Sequence, residues 1–255
     1  MAQTQTHFTT QGLVIGEMNI GENDRLVTLF TKEYGIIKAY VPGAKSIKSK
    51  RSAASSLLTY SNFVIARKGE IYRITEAEAI STFFIAGLEI EILSLAQYFC
   101  ELAAVFVGQM TPNEEFLRLI LNSLHFITKE KKNPFLIKAI TEFRIAVISG
   151  YRPDLVACQK CAKFEDDIMF LNVEEGTIIC KECVGGYDGL IPLDPTSLSA
   201  LRHITFSEFA KLYSFTIPEK SAYELSKITE RYLTYQTDYR FSTLDFFNSI
   251  ADGGC

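Results

Sequence analysis

Apolar and polar positions alternate over the first eighty residues, and the period then changes. Leu13-Val14-Ile15, Arg25–Phe30, Ile36–Val41, Leu57–Lys68 and Glu70–Ala77 read as five short strands. Gly21-Glu22-Asn23-Asp24 and Lys68-Gly69-Glu70 supply turn signals between them. Five strands at this spacing predict a small barrel or sandwich. The segment Gly43–Ser56 is small, polar and cationic, and predicts a mobile loop.

From residue 80 the apolar positions recur every three or four residues. Leu88, Ile92, Leu95, Phe99, Leu102 and Phe106 predict a long buried helix over Ile80–Met110, broken near Gly87. Thr111 is expected to start the next helix as its N-cap, with Pro112 at the first helical position, and Phe116, Leu119, Ile120, Leu124 and Ile127 line the helix that follows. Pro134–Ser149 is a third, closed by Gly150. Pro195–His203, Ser207–Ser214, Ser221–Tyr235 and Ser242–Ser249 read as further helices. The expected class is α+β and multidomain, with a five-stranded barrel domain over 1–80 and a helical domain over 81–255. The helical domain carries a small cysteine module at 156–188.

Composition excludes several classes. Of 255 residues, 47% are apolar and 22% charged, with 15 Gly and 7 Pro, so collagen-like and low-complexity chains are ruled out. Phe83–Met110 is the most apolar stretch, but Glu89, Glu91 and Glu101 interrupt it, so no membrane span is expected. Met1–Thr10 is polar and lacks the apolar core of a signal peptide, which sets the expectation of a cytoplasmic protein.

The net charge of −4 argues globally against a nucleic-acid partner, but its distribution reverses that. Lys38, Lys45, Lys48, Lys50, Arg51, Arg67, Lys68 and Arg73 fall within 36 residues whose only acid is Glu70. Together with Arg25, these are the candidate DNA contacts. Lysines interleaved with Ser and Gly suit phosphate contact without base reading. Tyr34, Tyr40, Tyr60, Phe63 and Tyr72 lie among them, and cationic loops with exposed aromatics are a single-strand binding arrangement. The alternative is a solvated loop above ordinary core aromatics.

Cys158, Cys161, Cys180 and Cys183 form two C-x2-C knuckles separated by 18 residues, while Cys100 and Cys255 stand alone. Two such turns can complete a tetrahedron of thiolates around Zn²⁺, so one structural zinc per chain is expected. Ile168–Val173 and Thr177-Ile178-Ile179 read as a hairpin between the knuckles, turning at Glu174-Glu175-Gly176. A redox C-x2-C competes, but it normally opens a helix in a βαβ unit and does not come as a matched pair. His7, His125 and His203 show no metal spacing. No G-x-S-x-G, Walker A loop or dinucleotide fingerprint is present, so no catalytic residues are expected.

The order of these parts resembles the bacterial recombination mediator family RecO. Gly21-Glu22-Asn23-Asp24-Arg25-Leu26-Val27-Thr28-Leu29-Phe30-Thr31 through Gly35 resembles the family's opening motif. Val41-Pro42-Gly43-Ala44-Lys45 followed by Lys48-Ser49-Lys50-Arg51 resembles its basic segment, and Gly69–Glu78 its fifth strand. Gly150-Tyr151-Arg152-Pro153-Asp154-Leu155 before Cys158 resembles the entry to its cysteine module. The resemblance implies an OB-fold barrel, binding of single- and double-stranded DNA, and annealing of complementary strands. It also implies partnership with RecR and with the tail of single-strand binding protein, SSB, so that RecA is loaded for repair and recombination. A nucleoid-associated location follows from it. Two other readings compete: a protein-binding zinc-ribbon adaptor without direct DNA contact, and an enzyme using the cysteines for redox chemistry.

Overall fold

The computed structural model describes residues 6–44, 50–109 and 111–251, with Lys50 in its backbone only. Two compact units emerge, one from Met1–Glu130 with Phe241–Cys255, the other from Lys131–Arg240.

Strands β1 (Thr6–Ile20), β2 (Asp24–Thr31), β3 (Gly35–Val41), β4 (Thr59–Lys68) and β5 (Ile71–Thr82) close a barrel in the order β1-β2-β3-β5-β4, an OB-fold arrangement. The long β1 serves two neighbours: Thr6–Leu13 pairs with β4 and Gly12–Ile20 with β2, with a bulge between Val14 and Gly16. Parallel pairing of β3 with β5 completes the barrel at Ala39↔Tyr72 and Tyr40↔Arg73. Strict alternation turns Val27, Leu29, Ile37, Ala39, Val41, Phe63, Ile65 and Ile74 inward to fill the core.

Besides the short α1 (Lys50–Ala54), three longer helices among the described residues belong to the same unit: α2 (Ile90–Phe106), α3 (Glu114–Thr128) and α7 (Ser242–Ala251). Helix α3 starts two residues later than expected: Asn113, not Thr111, is its cap, because the Asn113 side chain reaches Phe116 N and accepts from it at 3.0 Å. Glu101 on α2 caps α7, accepting from the backbone N–H of Ser242 and Thr243 at 3.2 and 2.9 Å and from both hydroxyls. Gly35 adopts φ +62°, and a Cβ there would lie 2.4 Å from Thr111 O and 2.8 Å from Gly108 O. Only glycine permits this approach of the β2–β3 turn to the chain leading into α3.

The second unit holds α4 (Pro134–Ile148), α5 (Pro195–Phe206), α6 (Glu219–Thr237) and a four-stranded sheet. The sheet runs β6-β8-β7-β9, from β6 (Asp154–Cys158), β7 (Met169–Asn172), β8 (Thr177–Cys180) and β9 (Ile191–Leu193). Lys138 on α4 is buried, with its ammonium 2.9 Å from Glu142, 2.8 Å from Glu230 and 3.1 Å from Ser226 O. Arg144 on α4 donates to Ile204 O, Thr205 O and Ser207 O, satisfying carbonyls at the C-terminus of α5.

Several sequence expectations need correction. The helix predicted from Ile80 starts at Ile90, because β5 continues to Thr82 in ladder with β4 and Gly87 turns the chain at φ +85°. Ser207–Ser214 is not a helix but holds a single 3₁₀ turn, Phe209–Lys211. The segment expected as a loop contains a short helix, α1 (Lys50–Ala54), while residues 45–49 lie outside the described residues. The expected hairpin of β7 and β8 is present, flanked by β6 and β9, which the sequence reading did not place. Among the described residues, no helix is long and apolar enough to cross a membrane.

Candidate metal centre and nucleic-acid interface

The sheet of the second unit brings the two knuckles together. Cys158 ends β6 and Cys180 ends β8, two strands that pair directly. Cys161 sits in the turn after β6, where Ala162 takes φ +58° and its N–H reaches Cys158 O at 2.9 Å. Cys183 sits in the 3₁₀ turn after β8. All four sulfurs lie within 4.8 Å of one another, and Cys161 Sγ is 3.5 Å from Cys180 Sγ. Four sulfurs about 2.3 Å from one tetrahedral ion stand about 3.8 Å apart, so the cluster fits a single metal ion.

The electrostatics agree with that fit. Burial pushes the Cys158 thiol up, but backbone N–H groups of Cys180, Cys161 and Lys160 outweigh it and bring the thiol down to about 6. Cys183 is pushed up to about 12 by its Cys180 and Cys161 neighbours. Four thiols this close need a shared cation to ionise together. A site filled by four thiolates keeps no open position, which makes it an ordering element.

Arg202 on α5 fastens this module to the helices. Its guanidinium donates to Leu155 O, Val156 O and Phe164 O at 2.8, 2.9 and 2.6 Å and lies 4.0 Å from the Phe164 ring centroid.

The basic side chains of the barrel fall into two groups. Lys38, Arg67, Lys68 and Arg73 are exposed. Lys38 and Arg67 flank a cavity of about 400 Å³ lined also by Ile36, Glu70, Tyr72 and Gln109. The Arg67 guanidinium stands 5.4 Å over the Tyr72 ring. Arg25 and Arg51 are half-buried and engaged with the fold. Arg25 meets Glu17 at 3.2 Å and reaches Ser55 O and Ser56 Oγ, while Arg51 donates to Pro42 O at 2.9 Å and Thr75 O at 3.1 Å. Lys45 and Lys48, and the side chain of Lys50, lie outside the described residues.

The sequence reading missed an outward row beside these cations. Register aligns Met18 with Leu26, Leu26 with Tyr40 and Tyr40 with Arg73 across β1, β2, β3 and β5. Alternation signals Leu26 and Tyr40 as outward, but the bulge in β1 hides Met18 from such a count.

These parts define the class: a modular protein with an OB-fold barrel and a helical unit organised around four clustered cysteines. The Recombination protein O N terminal family matches residues 1–83, and the Recombination protein O C terminal family matches residues 88–244. The chain is 30% identical over 244 residues to the DNA repair protein RecO of Acetivibrio thermocellus, covering 96% of this chain and 97% of that one. It is 28% identical over 240 residues to the RecO of Caldicellulosiruptor saccharolyticus, at 94% and 97% coverage. It is also 28% identical over 224 residues to that of Dehalococcoides mccartyi, at 87% and 88%. The chain belongs to the RecO family.

Proposed function

We propose that this chain is a recombination mediator of the RecF-pathway type. It binds single- and double-stranded DNA, anneals complementary strands, and acts with RecR to load RecA onto DNA coated by single-strand binding protein, whose C-terminal tail it engages. The observation that carries this reading is the exposed cationic group Lys38, Arg67, Lys68 and Arg73 on an OB-fold barrel in a RecO-family chain. Residues 1–80 are the DNA-binding domain. Lys45, Lys48 and Lys50 extend its phosphate contacts, and Arg25 and Arg51 contribute positive potential from the positions they hold. Residues 81–255 supply the longer helices, and one Zn²⁺ held by Cys158, Cys161, Cys180 and Cys183 orders the unit Lys131–Arg240 that contains those cysteines. The protein works in the cytoplasm at the nucleoid and performs no covalent chemistry.

The mechanism is electrostatic. Lys and Arg displace counterions from phosphates, which drives binding and makes it salt-dependent. Two strands neutralised on one surface repel each other less, and their bases remain available for pairing. The test is annealing of two complementary labelled strands at low salt. The wild type accelerates annealing, and a Lys38→Ala/Lys68→Ala/Arg73→Ala variant loses most of that acceleration. A wild type that anneals no faster than free strands, yet still binds RecR, overturns this reading in favour of a protein-binding adaptor.

A further inference from the structure

We infer that Met18, Leu26 and Tyr40 form a stacking platform for unpaired bases, and that this row makes the protein distinguish single-stranded from double-stranded DNA. The inference rests on the DNA-binding reading above and names the part of the surface that tells strand from duplex.

The register places the three side chains side by side on the outer face of β1, β2 and β3. Strands stand about 4.8 Å apart, so the row with its continuation to Arg73 spans roughly 14 Å. Met18 is 58% exposed and Tyr40 39%. Among the described residues, the Tyr40 side chain makes no hydrogen bond or ring contact. The next row on the same face is Gly16, Thr28 and Lys38, small at one end and cationic at the other. Apolar surface is therefore laid open beside cations, at Arg73 in the same row and Lys38 in the next.

That juxtaposition matches the two faces of a single strand. Phosphates suit Lys38 and Arg73, and exposed bases suit the apolar row. A duplex offers the same phosphates, but its bases are already stacked on one another and cannot use the platform. Base stacking on an aromatic side chain is sequence-tolerant, so the site has no preferred base.

Fluorescence anisotropy with a labelled oligothymidine and with a labelled duplex of equal length tests this. For Tyr40→Ala, single-strand affinity falls roughly ten- to hundredfold while duplex affinity changes less than twofold. The salt slope for single strands is unchanged, because no charge is removed. Tyr40→Phe keeps the ring and retains wild-type affinity, and Met18→Ser loses affinity in the same direction as Tyr40→Ala by a smaller factor. Equal losses for strand and duplex overturn the inference and make Tyr40 a general contact or a support for the fold. No loss for either form also overturns it, because the row then takes no part in DNA binding. A wild type that binds neither form overturns the underlying DNA reading, a result separable from the other two.

Discussion

Lys138 is the most informative residue for the stability of the second unit. Its ammonium contacts Glu142 at 2.9 Å, Glu230 at 2.8 Å and Ser226 O at 3.1 Å, so three acceptors surround its three protons. Lys138 is 1% exposed and Glu142 0%, while Glu230 is 22% exposed. Lys138→Met keeps the side chain's bulk but leaves the Glu142 carboxylate buried, with the Thr229 hydroxyl at 2.7 Å among its remaining partners. Breaking a buried pair from one side costs about 3–5 kcal/mol. Replacing both partners by apolar groups removes the uncompensated charge. Glu230 can then turn to water, and Thr229 still reaches Ser226 O at 3.2 Å. The Lys138→Met/Glu142→Leu variant is therefore expected within about 1 kcal/mol of the wild type.

Acid adds a sign test. Burial, opposed by Lys138, holds the Glu142 carboxyl above its ordinary value of 4.5. A carboxyl raised in the folded state favours folding while it is protonated, and that contribution is lost as pH rises through the folded value. Removing Lys138 raises the carboxyl further, so the single variant regains stability on acidification over a window that starts near 4.5 and extends higher than in the wild type. Amide hydrogen exchange of α4 and α6, with urea unfolding as a function of pH, measures all three proteins. A single variant costing under about 1 kcal/mol, or a double variant as unstable as the single, refutes the reasoning.

Three other perturbations test separate parts of the structure. Arg202→Ala removes hydrogen bonds to three carbonyls and the contact with Phe164, and is expected to cost about 2–4 kcal/mol, read as faster exchange in β6 and the Cys161 turn. Arg202→Lys restores only part of that, because an ammonium lacks the planar fork. Elemental analysis should find one zinc per chain, absent in Cys180→Ser, and chelation should melt β6–β8 because such an ion contributes on the order of 10 kcal/mol to ordering its module. Gly35→Ala should destabilise the first unit by at least 2 kcal/mol, since its Cβ meets Thr111 O at 2.4 Å and its φ is positive; a thermal midpoint unchanged from wild type would contradict that contact.

The sequence exposes local chemistry more readily than long-range pairing. The two knuckles are legible because each needs only a four-residue turn, and β7 and β8 because they are adjacent and joined by Gly176. Strands β6 and β9 were not legible: they are five and three residues long, and their partners are set by the sheet. Residues 80–89 carry helix-spaced apolar side chains, but Thr82 is already paired with Thr59, and the ladder overrides the period. The barrel's cations were legible as a charge excess, but their individual roles were not. Arg25 and Arg51 are drawn to carbonyls 30 and 24 residues away, at Ser55 and Thr75, and charge counting cannot foresee such partners. The row of Met18, Leu26 and Tyr40 required strand register, including the bulge that turns Met18 outward.

The central claim is that the barrel holds DNA through phosphate contacts made by its exposed cations. The most direct test is the salt dependence of single-strand affinity, wild type against Lys38→Ala/Lys68→Ala/Arg73→Ala. Each phosphate contact contributes about −0.7 to the slope of log affinity against log salt, so the triple variant should bind more weakly with a slope shallower by about 2. An unchanged slope, or a wild type that fails to bind at low salt, would contradict the account.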